Sequence, residues 1–382
     1  MKKFQTGNVL IISFAHLVHD VYSSFLSPLL PLLIEKMNLS YSLVGLLSVF
    51  QRIPSLLNPL VGILAEKTSL HYLVIIAPAL TTISMSLLGV APQYTVLALL
   101  LIIMGISSTL FHIPAPVMIK QVAGTQTGKG MSYFMLGGEL ARTLGPLTVL
   151  GAVSIWGLEG TYKLIPIGLL ASFLLYFKFK NIQFHSTRSE NKHDNFMLTF
   201  RTHLKLFALI SGIIFFRGMI RNSLTIFLPT YLVEKGESLW TGGIALSILQ
   251  LAGAAGTLFA GILSDKIGRK TTLKIAAILI PILMGLFICS KGIYLFASLV
   301  CLGFVLFAYG PVVLALFQDL DSEHPAFVNS IYMTLNFTIN SLVTLFIGIL
   351  ADMISLENTF RISILFSLVG IPLVFLLPKL KK

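Results

Sequence analysis

The chain has 382 residues, 55% of them hydrophobic and only 11% charged, with a mean hydropathy of +0.89. Soluble domains carry about 25% charged residues, so the composition excludes a water-soluble enzyme, a disordered regulator and a disulfide scaffold. The 27 basic and 15 acidic residues give +12, which points to nucleic acid in a soluble protein but to Lys and Arg retained on the cytoplasmic side in a membrane protein.

In chain order, Lys2 and Lys3 precede an apolar run from about Asn8 to Ile34. The run is too long for a cleaved signal peptide and is interrupted by His16, His19 and Asp20, so it reads as a retained first helix. Twelve spans are predicted, at 8–34, 40–65, 71–91, 94–119, 130–155, 160–178, 205–232, 238–263, 271–290, 292–317, 325–352 and 356–377. Each is near the roughly 20 residues that cross a hydrocarbon core, and no ten-residue alternation recurs as a membrane barrel requires. The fold class is therefore an all-α membrane protein of twelve transmembrane helices in two six-helix pseudo-symmetric bundles. The N-terminal bundle is 1–178 and the C-terminal bundle 205–382. Between them, 179–204 is a cytoplasmic linker holding His185, Arg188, Glu190, Lys192, His193, Asp194 and Arg201.

With both termini cytoplasmic, 18 Lys and Arg fall on that side and five on the other, namely Lys36, Lys163, Lys235, Lys291 and Arg361. The remaining four lie within spans. This asymmetry sets the orientation of a multi-pass protein of the cell inner (plasma) membrane, and nucleic acid is not needed to explain the charge. Asp319, Asp321 and Glu323 run against it, but acidic residues weigh little in that rule. Cys289 and Cys301 lie inside spans and offer neither a disulfide framework nor metal-ligand spacing. A short pattern recurs at span ends: Gly62-Ile-Leu-Ala-Glu66, Gly261-Ile-Leu-Ser-Asp265 and Gly348-Ile-Leu-Ala-Asp352. Its presence on oppositely oriented helices fits inverted three-helix repeats.

The ionisable residues within spans are His16, His19, Asp20, Arg52, His112, Glu139, Arg142, Arg217 and Arg221. Six are ordinarily charged, and at about 2.5–3.5 kcal/mol each, lipid exposure would cost about 15–21 kcal/mol. A fold's whole stability is about 5–15 kcal/mol, so these groups face one another or a wet cavity. His16, Asp20, Ser23 and Ser27 share one face of span 1, with His19 on its edge. Ser48, Arg52, Ser55 and Pro59 share a face of span 2, Arg217, Arg221 and Thr225 one of span 7, and Asn329, Tyr332, Asn336 and Asn340 one of span 11.

Each residue has two readings. Asp20 is either a structural acceptor for His16 or a proton carrier. Glu139 and Arg142 are either a self-satisfied i,i+3 pair or functional groups. Arg217 and Arg221 have no acid in their own helix, which leaves Glu139, Asp20 or an anionic substrate as partner; Arg52 is similar. His112 either bonds locally near Pro114 or contacts proton or substrate, and the span 11 asparagines are either interhelical glue or substrate contacts. Four span arginines against Asp20 and Glu139 leave 4 − 2 = +2, which favours an anionic substrate over a lipophilic cation. His16, His19 and Asp20 hint at a metal, but adjacent ligands on one helix need partners from elsewhere, so no metal or cofactor is expected. No catalytic triad, His/Glu metal set or phosphate-cradling loop has suitable spacing, so the chain does not read as an enzyme.

Gly261-Ile-Leu-Ser-Asp265-Lys-Ile-Gly268-Arg269-Lys270 resembles the signature loop of the major facilitator superfamily, with a degenerate copy at Gly62 to Lys67 in which Glu66 replaces the Asp. Locally, Gly261 lets helices approach, Asp265 bridges to basic residues or a helix N-terminus, and Arg269 with Lys270 holds a cytoplasmic gate. Longer stretches resemble the fosmidomycin-resistance transporters within that superfamily. They are Ala15-His16-Leu-Val-His19-Asp20-Val-Tyr22, Pro28-Leu-Leu-Pro31, Leu39-Ser40-Tyr41, Leu110-Phe111-His112, Gly128-Lys129-Gly130-Met131-Ser132, Gly137-Gly138, Gly145-Pro146 and Phe227-Leu-Pro229-Thr-Tyr231. The chain departs from that family where Ile113-Pro114-Ala115 follows His112 in place of Pro and an acidic residue, and where Glu139 replaces a polar uncharged one.

The resemblance implies the major facilitator fold, with spans 1, 4, 7 and 10 lining a cavity. It also implies a proton-coupled antiporter that exports a small polar or anionic compound or drug by alternating access. Asp20, His16, His19 and Glu139 are expected to carry protons. Arg52, His112, Arg142, Arg217, Arg221 and Asn336 are expected to meet the substrate, and Gly62, Glu66, Gly261, Asp265, Arg269 and Lys270 to gate. Uptake by proton symport uses the same residues. The partners are a small-molecule substrate, protons and the lipid bilayer, and the chain is expected to be a monomer.

Overall fold

The computed structural model describes residues 4–58, 61, 71–180, 196–318 and 325–377, and its regular secondary structure is helical throughout. Ten helical runs are long and apolar enough to cross a membrane, so the chain is a multi-pass membrane protein. One run, Tyr94–Trp156, is 63 residues long and covers two predicted spans, while Tyr41–Leu57 is shorter. Most of the rest of predicted span 40–65 lies outside the described residues, as do Gly62 and Glu66. Large apolar side chains such as Leu258, Phe259 and Ile262 remain exposed, as a lipid-facing surface requires because tails are as apolar as these side chains.

The chain divides into two compact units, Met1–Leu39 with Phe50–Asn191, and Ser40–Val49 with Lys192–Lys382. The first unit holds α1 (Thr6–Ser23) and α2 (Leu26–Met37), then α3 (Tyr41–Arg52), whose opening residues belong to the second unit. It continues with α4 (His71–Ser86), α5 (Tyr94–His112), α6 (Pro114–Ala123), α7 (Thr127–Trp156) and α8 (Ile165–Phe179).

Proline sets two breaks that the predicted spans ran through. Pro28 has no N–H for the Ser24 carbonyl and its ring crowds it, so predicted span 1 splits at Ser24 into α1 and α2. Pro114 does the same to Leu110 and restricts Ile113, which makes His112 the last residue of α5. In contrast, Pro146 is accommodated inside the continuous 30-residue α7.

In the second unit, α9 (Phe196–Asn222) is already helical inside the segment expected to be linker. A π-helical turn, Ser223–Phe227, joins it to α10 (Leu228–Glu234). Pro229 removes the donor for the Thr225 carbonyl, and the wider turn accommodates that loss. Then come α11 (Leu239–Ile267), α12 (Arg269–Cys289), α13 (Ile293–Gln318), α14 (Pro325–Ile354) and α15 (Leu356–Leu376). Gly256 of α11 lies against the Phe304 backbone of α13, where no Cβ fits. Among the described residues no close approach is made at Gly261, where a Cβ would meet open space. Small residues allow contact only on the face that meets a neighbour, and Gly261 is on the other face.

Candidate functional site

The three ionisable residues of α1 are all buried, His16 at 5%, His19 at 0% and Asp20 at 5% exposure. An isolated charge at such depth is costly, so neighbouring helices must supply partners. α7 comes close to α1 at Gly137, whose Cβ would stand 2.6 Å from the Ser13 carbonyl oxygen, and at Gly138, whose Cβ would stand 2.6 Å from His16 Cε1 and 3.4 Å from Asp20 Oδ2. Lacking side chains there, α7 brings its backbone up to the ring of His16. His16 Nδ1 accordingly donates to the Phe134 carbonyl at 2.7 Å, and the Phe134 ring stacks on His16 at 4.0 Å.

α5 supplies the opposite wall. His112 Nε2 stands 3.1 Å from Asp20 Oδ1, its side chain 36% exposed, and Phe111 stacks on His19 at 4.7 Å. His19 Nδ1 lies 2.9 Å from Asp20 Oδ1, and His16 Nε2 lies 3.4 Å from Asp20 Oδ2. One carboxylate is thus ringed by three imidazoles in an aromatic box. His19 Nε2 meets Thr81 Oγ1 of α4 at 2.9 Å. Thr81 donates to Ser107 Oγ at 2.8 Å, and Ser107 donates to the Ala77 carbonyl at 2.6 Å.

Imidazole and carboxylate are the side chains suited both to exchanging protons and to ligating metals. His16, Asp20 and His112 also offer ligand atoms within 4.8 Å of one another, close enough to hold a small cation. The partner that α1 alone lacked is His112, from a second helix. Two contacts to Asp20, at 2.9 and 3.1 Å, are ordinary hydrogen-bond lengths.

The other predicted residues fall elsewhere. Glu139 is next to Gly138 but pairs with Arg142 at 3.1 Å, the Arg side chain 44% exposed, and makes no described hydrogen bond to the cluster. Arg52 ends α3, just before a short 3₁₀ turn at Ile53–Leu57. Arg217 donates to the Leu306 carbonyl at 3.1 Å and lies 5.0 Å over the Tyr309 ring. The cavity beside it, bounded also by Ile280, Ser367 and Gly370, has about 10 Å³, room for one water and none for a substrate. Leu306 and Tyr309 of α13 thus pack against its guanidinium. Arg221 lies 5.5 Å over Phe307.

Asn340 donates to the Asn336 carbonyl and side-chain oxygens at 2.7 and 3.0 Å, and Asn222 donates to the Asn340 carbonyl at 2.9 Å. These bonds tie α9 to α14. Asp265 pairs with Arg269, which also donates to Ser264 at 2.6 Å, and Lys270 donates to the Leu377 carbonyl. Gly268 turns the chain between α11 and α12 at φ +93°, where a side chain would be strained.

Sequence reasoning missed Thr81, Ser107 and Asp352. Asp352 accepts from the Tyr41 and Ser42 backbone N–H groups at 2.7 and 2.9 Å, at the start of α3. Its signal was present, as the last residue of the third copy of the span-end pattern.

The sequence profile of the Major Facilitator Superfamily matches residues 12–344. The fosmidomycin resistance protein of Escherichia coli (strain K12) is 25% identical over 371 residues, covering 96% of this chain and 91% of that protein. Among solved structures, a bacterial homolog of the human lysosomal transporter Spinster, inward-facing and unoccupied, is similar at TM-score 0.82 and 14% identity, covering 98% of this chain and 97% of that one. A D-xylose-proton symporter is similar at TM-score 0.78 and 18% identity, covering 98% of each. Helical throughout its described residues and matched along most of its length, the chain belongs to the Major Facilitator Superfamily of transporters and resembles the fosmidomycin-resistance family within it.

Proposed function

We propose that this transporter is a proton-coupled antiporter of the plasma membrane that exports a small polar or anionic compound by alternating access. Its twelve helices form two six-helix bundles, with both termini cytoplasmic. The observation that carries the coupling is Asp20, a buried carboxylate within 3.4 Å of three imidazoles. A proton entering this group changes its net charge, and conformations that solvate the charge differently then change in population. The resistance named for the Escherichia coli relative supports export. The surplus of fixed positive charge in the spans supports an anionic or phosphonate-like substrate, with Arg52, His112, Arg142, Arg221 and Asn336 as its contacts. Arg217 acts on it through charge at a distance.

The test is reconstitution in proteoliposomes with a pH-sensitive dye, screening phosphonates, sugars, organic acids and drugs. Substrate movement opposed by proton movement is expected, and Asp20→Asn should abolish it while leaving substrate exchange partly intact. Proton and substrate moving together is symport and overturns export. Proton-driven transport unchanged in Asp20→Asn removes Asp20 from the mechanism. Transport of ethidium-like cations but no small anion defeats the substrate class.

A further inference from the structure

We infer that the hydrogen-bond chain behind His19 forces the His19–Asp20 pair to hold one proton more than a neutral imidazole beside an ionised carboxylate, and that His112 is the door through which this proton exchanges. The inference deepens the proton-coupled reading, and rests on it only for the transport arm of the test below.

The count runs from an end that is fixed. The Ala77 carbonyl can only accept, so the single Ser107 hydroxyl hydrogen points to it. Ser107 then has none for Thr81, and the Thr81 hydroxyl hydrogen points to Ser107. Thr81 in turn has none for His19, so Nε2 of His19 carries a hydrogen and donates to Thr81 Oγ1. If His19 were neutral, its Nδ1 would present a bare lone pair to Asp20 Oδ1 at 2.9 Å. Two lone pairs at that distance repel, and a buried polar atom left so is costly. A proton between them removes the conflict, whether it sits on Nδ1 as an imidazolium or on Oδ1 as a carboxylic acid. The pair is then neutral overall.

The same reasoning applies to the other groups around Asp20. His16 Nδ1 must donate to the Phe134 carbonyl, so its Nε2, 3.4 Å from Oδ2, is the place for a second proton. His112 is the remaining ionisable group at the carboxylate. α4 presents Thr81, and α7 presents the Phe134 carbonyl and Gly138, with Glu139 engaged by Arg142. α6 and α8 place no described ion pair on Asp20. A proton cannot leave past Ser107, because that chain ends on a carbonyl. His19 is fully buried, whereas the His112 side chain is 36% exposed, so exchange runs through His112. Thr81 and Ser107 are positioning residues that act through His19.

Ser107→Ala frees the Thr81 hydrogen to turn toward His19 Nε2. His19 then becomes a neutral Nδ1–H donor to an ionised Asp20, and the penalty on the proton-free state disappears. Proton binding weakens, so the pH midpoint of proton-driven transport moves to more acid values by about one unit, the scale of one buried unsatisfied group. Ser107→Thr keeps the hydroxyl and restores the wild-type midpoint. Thr81→Ser does likewise.

A second readout needs no transport: 15N-histidine NMR with His19 assigned by its loss in His19→Gln, and the Asp20 carboxyl stretch assigned in the infrared by its loss in Asp20→Asn. At neutral pH, either a doubly protonated His19 or a protonated Asp20 carboxyl is expected. A singly protonated His19 beside an ionised Asp20 overturns the inference. So does a stoichiometric metal on purified protein, or a Ser107→Ala pH profile that overlays the wild type. A pair that carries its proton in a protein that moves none leaves the inference standing and removes the antiport reading instead.

Discussion

The two units bury charge in opposite ways. In the first, Asp20 is surrounded by His16, His19 and His112, groups whose charge changes with each proton gained or lost. In the second, Arg217 is half-buried against Tyr309 and the Leu306 carbonyl, a cation that stays protonated in proteins. The Asp20 cluster of the first unit also closes its hydrogen bonds through Thr81 and Ser107, down to the Ala77 carbonyl. The second leaves Arg217 Nε, Tyr309 Oη, Asn222 Oδ1 and Asn340 Oδ1 without a partner among the described residues. One half therefore holds a carboxylate among imidazoles and the other a fixed cation. In the proposed antiport the first would report the proton gradient and the second would supply a field that selects the cargo.

The contrast breaks most sharply at Asp20. Asp20→Asn retains shape but removes the variable charge, so proton-driven transport should fall to background in reconstituted vesicles while substrate-driven exchange persists. Exchange lost in parallel would mean that the cluster binds cargo directly, and the division of labour fails.

A smaller effect is expected at Arg217. At roughly 10 Å and an effective dielectric of about 20, one fixed charge contributes about 1.7 kcal/mol to an anion's binding, a tenfold to twentyfold effect. Arg217→Met should weaken anionic substrate affinity by about that factor and leave the pH midpoint of coupling in place, whereas Arg217→Lys should lose little. A shifted midpoint in Arg217→Met would show that the two halves share one electrostatic site. An unchanged affinity would make Arg217 a packing residue alone.

How much of this was legible in the sequence follows from what helical spacing encodes. His16 and Asp20 are one turn apart and lie on one face, so their meeting needed no neighbour. Glu139 shows the limit. Successive residues turn by about 100°, so Gly138 faces the cluster while Glu139 next to it turns to Arg142, and only the position of α1 decides which. Thr81 and Ser107 were not legible because membrane hydroxyls ordinarily bond within their own helix, as Ser13 does to the Val9 carbonyl and Thr148 to that of Leu144. Nothing local distinguishes the two hydroxyls that leave their helix for another. The helices were legible because runs of about 20 apolar residues have few other uses, whereas the breaks that Pro28 and Pro114 set at Ser24 and Ile113 were read through, since hydropathy alone does not register them.

The smallest expected effects lie within the fixed-charge half, between two copies of one span-end pattern. Asp265 near the end of α11 closes on Arg269 at the start of α12, its side chain 65% exposed, and such pairs contribute about 0–1 kcal/mol. Asp352 instead caps α3, satisfying two backbone N–H groups that the helix start leaves unpaired, worth about 1–2 kcal/mol. Asp352→Ala should therefore lower the thermal unfolding midpoint in detergent measurably, and Asp265→Ala should barely move it. High salt should erase what remains of the Asp265 effect and leave part of that of Asp352, whose two backbone hydrogen bonds satisfy donors that salt does not replace. Equal losses in the two variants would show that the pattern works by its glycine and apolar residues, with the acid at its end incidental to both.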